Sequence, residues 1–202
     1  MSHDRALPAA TLADALWPAA GPVPAVVRAA ALAIVGSLLL TVSAKVQIPF
    51  YPVPMTLTTM VVFLLGIAYG PRLAVATVLL YLAEGALGLP VFAGTPAKGV
   101  GLAYMAGPTG GYLMGFVAAA AIAGITAERS RSTLVTALGI ALATAVIYLL
   151  GAGWLATFVG PGKALALGVA PFLLGDLVKL GLATALAEAG LARLRRRAVE
   201  GS

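Results

Sequence analysis

Two charged residues lie in the middle of an apolar run near the carboxyl end of the sequence. Asp176 and Lys179 fall within PFLLGDLVKLGLATALAE, residues 171–188, which otherwise resembles a membrane helix. A central Asp or Lys costs about 2.5–3.5 kcal/mol to insert into a bilayer, so such residues commonly mark function. Residues three apart share a helix face. The pair is therefore either a structural ion pair or a site for a neutral ligand group bearing both N–H and C=O, such as a urea.

The composition places the chain in a bilayer. Of 202 residues, 61% are apolar and 10% are charged, whereas soluble domains contain about 25% charged residues. The net charge of +6 does not indicate a nucleic-acid partner, because the arginines cluster at the ends of apolar runs. Without cysteine the chain offers no disulfide or thiolate metal site. The first 28 residues lack the form of a cleavable signal peptide.

Apolar runs of spanning length predict an all-α polytopic membrane protein of six transmembrane helices. The segments are roughly 25–44, 55–70, 71–90, 108–127, 133–152 and 168–192. We divide the chain into an N-terminal tail (1–24), a membrane domain (25–193) and a basic C-terminal tail (194–202), with both tails cytoplasmic.

The basic residues set this N-in, C-in orientation by the positive-inside rule. The inner side then carries nine arginines and the outer loops three lysines, with Lys179 inside the membrane. The arginines are Arg5, Arg28, Arg72, Arg129, Arg131, Arg193, Arg195, Arg196 and Arg197, and the lysines are Lys45, Lys98 and Lys163.

A third charge, Glu84, lies at a similar depth to the first two. At 1.5 Å per residue, Glu84 is about 9 Å below the outer end of its helix, Asp176 about 12 Å and Lys179 about 16 Å. Two helices thus converge on a polar region open to the outside. Glu84 could line the pocket, pair with Lys179, or point to the interface near the loops.

Two outer segments are unusually apolar for loops. Residues 45–56, KVQIPFYPVPMT, contain three prolines that exclude helix, so they form either a lid over the cavity or a connector at headgroup level. Residues 88–116 combine Gly and Pro with aromatic residues, which membrane depth tolerates only where protein or a cavity covers the backbone. Pro108 suits a helix start, whose free N–H groups around Thr109 could bind an anion, with Lys98 adding a positive charge.

Stripes of small residues at spacing four predict close helix packing. One contains Gly107, Gly111, Gly115, Ala119 and Ala123, and the other Ala25, Ala29, Ala33, Ser37 and Thr41. One stripe could serve internal packing and the other a partner protein, and in a chain this rich in Ala and Gly chance spacing is a third possibility.

Enzyme chemistry has little support. The single histidine, His3, lies in the polar tail, so a nucleophile with a His base is absent. GPGKA, residues 160–164, lacks the first Gly and the Ser/Thr of a phosphate loop. Uphill transport would therefore need energy from a partner or an ion.

Four blocks resemble a known family: QIPFYPVPMTLTT (47–59), YLAEGALGLPVFAG (81–94), AGPTGGYLMGF (106–116) and LLGDLVK (173–179). They are similar to the biotin-specific substrate-binding (S) components of energy-coupling factor vitamin transporters, the BioY family. The resemblance implies a six-helix S-component fold in a bacterial cytoplasmic membrane, with biotin as transported ligand and no cofactor. It also implies docking onto a membrane T protein driven by ABC-type ATPases.

The resemblance also assigns roles. Asp176 and Lys179 are implied to contact the ureido head of biotin, and Phe92, Tyr104 and Tyr112 are candidate walls for its ring. Lys98 is the candidate for the carboxylate, and Glu84 occupies a position where relatives are expected to be neutral. Ala25, Ala29 and Ala33 resemble the T-protein docking face. The alternative is an ion-coupled carrier acting alone or as a homodimer, with Glu84 and Asp176 as titrating groups.

Overall fold

The computed structural model describes residues 11–17, 23–48, 51–130 and 132–200, with the side chains of 15, 16 and 191–200 excluded. His3 and Pro49, one of the three prolines in residues 45–56, lie outside this part, as do Arg5 and Arg131. The helices are α1 (Leu12–Leu16), α2 (Ala25–Lys45), α3 (Thr58–Ala86), α4 (Gly101–Met105), α5 (Gly110–Arg129), α6 (Thr133–Val159), α7 (Pro161–Gly168) and α8 (Leu173–Glu200). Strands β1 (Gln47–Ile48) and β2 (Met55–Thr56) pair antiparallel, and a 3-10 turn spans Ala170–Phe172.

The fold is helical, as predicted, with helices long and apolar enough to cross a bilayer. Five candidate spans occur in the described residues, namely α2, α3, α5, α6 and the stretch Pro161–Gly190, with mean hydropathy between 1.6 and 2.2. Six segments were predicted, and the difference arises at α3, which combines most of the predicted segments 55–70 and 71–90.

Helix α3 is interrupted at Gly70. Its φ of 75° and ψ of 168° are not helical, and Pro71 follows. Both halves of α3 approach Gly36 of α2, because a Cβ added there would lie within 3.3 Å of the side chains of Leu65, Tyr69 and Thr77. Leu65 and Thr77 would be about 18 Å apart along a straight helix. The two halves of α3 therefore fold back on each other at Gly70.

The centre of the bundle is α5, which packs against α3 and α6 through glycines. A Cβ at Gly111 would come within 2.4 Å of the Leu150 carbonyl on α6, and one at Gly115 within 2.9 Å of the Ile147 Cα. On the other side, a Cβ at Gly66 would lie 2.7 Å from the Ala123 Cβ. Gly111, Gly115 and Ala123 of the small-residue stripe therefore serve internal packing, a role that the sequence left open, whereas Gly107 lies before α5.

The last membrane segment is broken near its start. Helix α7 ends at Gly168, the 3-10 turn follows, and α8 begins at Leu173. A continuous helix over 168–192 was expected, but the chain turns at Pro171. Asp176 consequently lies in the first turn of α8, where the helix dipole stabilises a negative charge by about 0.3–1 kcal/mol.

The N-terminal tail contains structure that was not predicted. The Thr11 hydroxyl caps α1 and exchanges hydrogen bonds with Asp14. Asp14 also pairs with Arg28 of α2 at 2.9 Å, and the Arg28 guanidinium donates to the Trp17 carbonyl at 2.7 Å. Burial alone would raise the pKa of Asp14, but the hydrogen bonds from Thr11 and the charge of Arg28 hold it below its usual value.

Candidate functional site

A cavity lies at the end of the bundle that carries the segments between α2 and α3 and between α3 and α5. Its volume is about 70 Å³, well above the roughly 10–15 Å³ that holding one water requires. Its lining residues are Ala44, Val53, Pro54, Met55, Thr56, Thr58, Thr59, Tyr81, Phe92, Ala93, Tyr104, Thr109, Tyr112, Leu113, Phe116, Ile147, Tyr148, Phe172, Asp176 and Lys179.

The Asp176–Lys179 pair forms the charged part of this lining. The Lys179 Nζ lies 2.8 Å from the Asp176 Oδ1, and the two side chains are 9% and 13% exposed. Breaking such a pair by removing one partner is far more costly than losing a surface ion pair, because the other charge is left buried. The pair presents a hydrogen-bond acceptor beside a donor at the cavity.

Two residues that the sequence interpretation did not select complete this polar end. Tyr148 of α6 donates its hydroxyl to the Asp176 Oδ2, and the Lys179 Nζ donates to the Thr59 hydroxyl at 3.3 Å. Among the described residues, one N–H of the ammonium is then left for a ligand carbonyl. Each carboxylate oxygen of Asp176 accepts one protein hydrogen bond and keeps capacity for a ligand N–H.

Aromatic rings form the apolar part of the cavity. The rings of Phe92 and Tyr104 are stacked with centroids 5.0 Å apart, and Tyr81 meets Phe92 edge-on at 5.3 Å. Phe92 is seated on Gly85, where a Cβ would lie 2.0 Å from its Cζ. The three candidate wall residues Phe92, Tyr104 and Tyr112 all line the cavity.

Hydrogen bonds fix these rings in place. Tyr104 donates to the Ala93 carbonyl and Tyr112 to the Gly168 carbonyl, each at 2.8 Å. Burial raises the pKa of Tyr104, partly opposed by a hydrogen bond with Thr109, so its hydroxyl stays a neutral donor. The wall is thus preorganised by contacts that do not involve a ligand.

The segment after α2 contributes to the same cavity. It forms the β1–β2 hairpin, and Val53, Pro54, Met55 and Thr56 line the cavity while Tyr51 is 86% exposed. The sequence left open whether this segment is a lid over the cavity or a connector at headgroup level. Because the described residues after Tyr51 line the cavity, they lie where a lid would.

Two predicted site residues do not lie on the cavity. Glu84 accepts a hydrogen bond from Ser37 of α2 and lies on the seam between α2 and α3. Lys98 lies at a neighbouring side opening that shares Pro54, Tyr104 and Thr109 with the cavity. The Gly110 amide, expected to be free for an anion, donates to the Gly107 carbonyl at 3.0 Å.

The three candidate docking residues lie on α2, which packs mainly against α3. Ala25 is exposed, whereas Ala29 and Ala33 are half-buried beside the contact with α3. The stripe continues to Ser37, which is buried.

Sequence signals existed for some of the missed residues. Tyr148 places a hydroxyl in an otherwise apolar helix, VIYLLG, residues 146–151. Thr58 and Thr59 follow the proline-rich segment as paired hydroxyls. Phe172 and Tyr81 have no such signal. The inward orientation of Phe172 depends on the 3-10 turn, and that of Tyr81 depends on the fold of residues 87–100.

Comparison with known proteins places this arrangement in a family. The model of the BioY family matches residues 11–196, which is nearly the whole chain. The chain belongs to the BioY family. The resemblance inferred from the four sequence blocks is confirmed. BioY proteins are transport proteins, so the prediction that the chain is not an enzyme also agrees with the comparison.

Individual BioY relatives and a solved structure agree. The chain is 43% identical over 150 residues to "Probable biotin transporter BioY" of Pyrococcus horikoshii, covering 74% of this chain and 88% of the relative. It is 40% identical over 164 residues to "Biotin transporter BioY" of Thermotoga maritima, covering 80% and 92%. The fold matches a crystal structure of "the S-component for biotin from an ECF-type ABC transporter" with a TM-score of 0.71, 23% identity and coverage of 84% and 92%.

Proposed function

We propose that this BioY chain is the biotin-binding membrane subunit of a vitamin importer. One observation carries the proposal: a largely buried carboxylate–ammonium pair, 2.8 Å apart, lines the same cavity as a group of aromatic rings. A ureido group needs an acceptor for N–H and a donor for C=O side by side, and the fused ring of biotin needs apolar walls.

In the proposed complex each part of biotin has a partner. Asp176 accepts from a ureido N–H and Lys179 donates to the ureido carbonyl. Phe92, Tyr104 and Tyr112 contact the bicyclic ring. The valerate chain leaves toward the side opening, where the Lys98 ammonium meets the carboxylate. Biotin is cargo in this scheme, and no cofactor takes part.

We infer six spans with both ends inside, in a bacterial cytoplasmic membrane, and a cavity open to the outside. The reversal at Gly70 supports counting the halves of α3 separately. Arg28 and Arg72 line a cleft beside α1, whereas Lys45 and Lys98 belong to the segments around the cavity mouth. The nine basic residues assigned to the α1 side, against three on the cavity side, support the orientation.

Uptake against a concentration gradient requires an energy source. The described residues contain no phosphate loop that would bind ATP. We propose a T protein and two ABC-type ATPases as partners, because the structural relative is an S-component from an ECF-type ABC transporter. Docking would use the α2 face around Ala25, Ala29 and Ala33. A homodimer is the alternative assembly.

The ion-coupled carrier gains no specific support. It would use Glu84 with Asp176, but Glu84 bonds to Ser37 and does not line the cavity. Uptake of biotin into proteoliposomes containing this chain alone, abolished by an uncoupler, would favour the carrier over the partnered importer.

Calorimetric titration tests the binding function directly. Biotin is titrated into the purified, detergent-solubilised chain, with thiamine and riboflavin as controls for vitamin binding in general. We expect tight binding of biotin alone at about one molecule per chain. Absence of heat with biotin, from a sample that melts cooperatively, would contradict the proposal and leave Asp176–Lys179 as a structural ion pair.

A further inference from the structure

The last residue of α2 has a set of contacts that its position in the sequence does not suggest. The Lys45 Nζ lies 2.6 Å from the Pro90 carbonyl oxygen, 2.9 Å from that of Phe92 and 3.2 Å from that of Thr95. The Thr95 hydroxyl oxygen is 3.0 Å away. An ammonium carries three N–H donors, so four oxygens from one short segment share all of them.

That segment, residues 87–100, has no helix or strand to hold its backbone. Gly88, Gly94 and Gly99 have φ values of 94°, 73° and 93°, a region that favours glycine. Its backbone hydrogen bonds are local, such as the Lys98 amide to the Gly94 carbonyl at 2.9 Å. Its shape therefore depends on side chains that reach in from outside.

Three side chains do so in the described part of the chain. Tyr81 of α3 donates to the Val91 carbonyl at 3.3 Å and Tyr104 of α4 to the Ala93 carbonyl at 2.8 Å. Lys45 is the third and the one that comes from α2. It holds the carbonyl of Phe92 itself, whose ring is 1% exposed and forms the cavity wall.

Helix α2 is at the edge of the bundle. It packs mainly on α3, and the side chains of Ile34, Val35, Leu38 and Leu39 on its other face are at least half exposed. Through Lys45, the outer end of this peripheral helix is joined to the wall of the cavity.

We propose that Lys45 is a positioning residue that ties the Phe92 wall to the end of α2, so that displacement of α2 opens the cavity. The inference rests on the proposed function for the identity of the ligand, but the tether itself is a property of the fold. Lys45 makes no contact with the cavity interior and acts through Phe92.

The first test compares Lys45→Met with Lys163→Met in nanodiscs. Lys163 is an exposed lysine at the start of α7, away from the cavity, so it controls for the lost charge. Amide hydrogen exchange is followed in peptides covering 88–100, and dissociation of labelled biotin is followed in a chase with unlabelled biotin. We expect at least tenfold faster exchange and dissociation in Lys45→Met, little change in Lys163→Met, and partial rescue by Lys45→Arg.

Unchanged exchange in 88–100 together with unchanged dissociation would overturn the tether. The hydrogen-exchange and biotin-dissociation measurements distinguish failure of this inference from failure of the proposed function. If the parent chain binds no biotin, the proposed function fails, while the exchange measurement still decides whether Lys45 holds the segment.

The second test asks whether α2 acts through Lys45. A Cβ at Gly36 would lie 2.5 Å from the Thr77 Cγ2, so Gly36→Ala pushes α2 away from α3. Gly153→Ala is the control, because nothing lies within 4 Å of its Cβ. We expect Gly36→Ala to speed biotin dissociation severalfold in the parent chain and to add nothing in Lys45→Met. If Gly36→Ala speeds biotin dissociation by the same factor in Lys45→Met as in the parent chain, the coupling is overturned. It is also overturned if Gly36→Ala has no effect in the parent chain.

Discussion

Replacing Asp176 by asparagine removes one negative charge and changes the shape of the side chain very little. In the parent protein the two oxygens accept hydrogen bonds from Lys179 and Tyr148. The amide keeps one acceptor oxygen, but its nitrogen cannot accept from a ligand N–H or neutralise the ammonium. The variant therefore separates the charge of this position from its size.

The expected loss follows from the type of bond. A hydrogen bond to a charged group contributes about 1.5–3 kcal/mol, and 1.4 kcal/mol corresponds to tenfold in Kd. Biotin affinity should therefore fall about 10- to 150-fold. The fold should be retained with a lower Tm, because the Lys179 ammonium loses its counter-charge where its side chain is 9% exposed.

Calorimetry with biotin and a thermal melt of the same sample measure both quantities. Glu188→Gln is the matched control, since it makes the same acid-to-amide change on α8 away from the cavity lining. If Asp176→Asn binds biotin within twofold of the parent chain and melts cooperatively, the carboxylate does not contact the ligand, and the assignment of the ureido site is refuted.

Three further changes test the surroundings of the site. Tyr148→Phe removes the hydroxyl that donates to the Asp176 carboxylate and should weaken biotin binding severalfold by calorimetry, less than Asp176→Asn does, because Tyr148 acts on the ligand only through the carboxylate; unchanged affinity would exclude a role in orienting the carboxylate. Lys98→Met should weaken binding of biotin but not of biotinamide, which lacks the carboxylate, and equal losses for both would contradict the contact. Because the pKa of Asp14 is lowered in the folded chain, its contribution to holding α1 should be complete above pH about 4 and lost as pH falls further. Hydrogen exchange of residues 11–17 should show this loss in the parent chain but not in Asp14→Asn, and equal pH dependence in both would contradict it.

Some of the site followed from sequence because its determinants are local. Asp176 and Lys179 share a helix face by their spacing alone. Phe92 and Tyr104 lie in a stretch whose glycines and prolines exclude a simple spanning helix, and apolar rings there need a protein cavity. The end of one apolar segment at residue 70 also coincides with the break at Gly70, because Pro71 cannot continue the preceding helix without disruption.

Other features depend on contacts between distant parts of the chain. Glu84 and Ser37 are 47 residues apart, and their hydrogen bond depends on how α2 rotates against α3. Tyr148 and Asp176 are 28 residues apart, and their hydrogen bond depends on how α6 packs against α8. The contacts of Lys45 depend on the backbone path of residues 87–100, which form no helix or strand. Periodicity along one helix carries no information about these pairings.

The close packing of α3, α5 and α6 has a practical consequence for measuring motion in this protein. Because glycine contacts hold these helices together, they provide a fixed reference frame, and Met114 of α5, 62% exposed, offers an accessible position on it. The chain contains no cysteine, so a spin label attached to a cysteine at 114 would have no background from native thiols. A second label on an exposed position of α2, such as Val42, would turn displacement of that helix into a distance distribution that pulsed electron paramagnetic resonance can read with and without biotin.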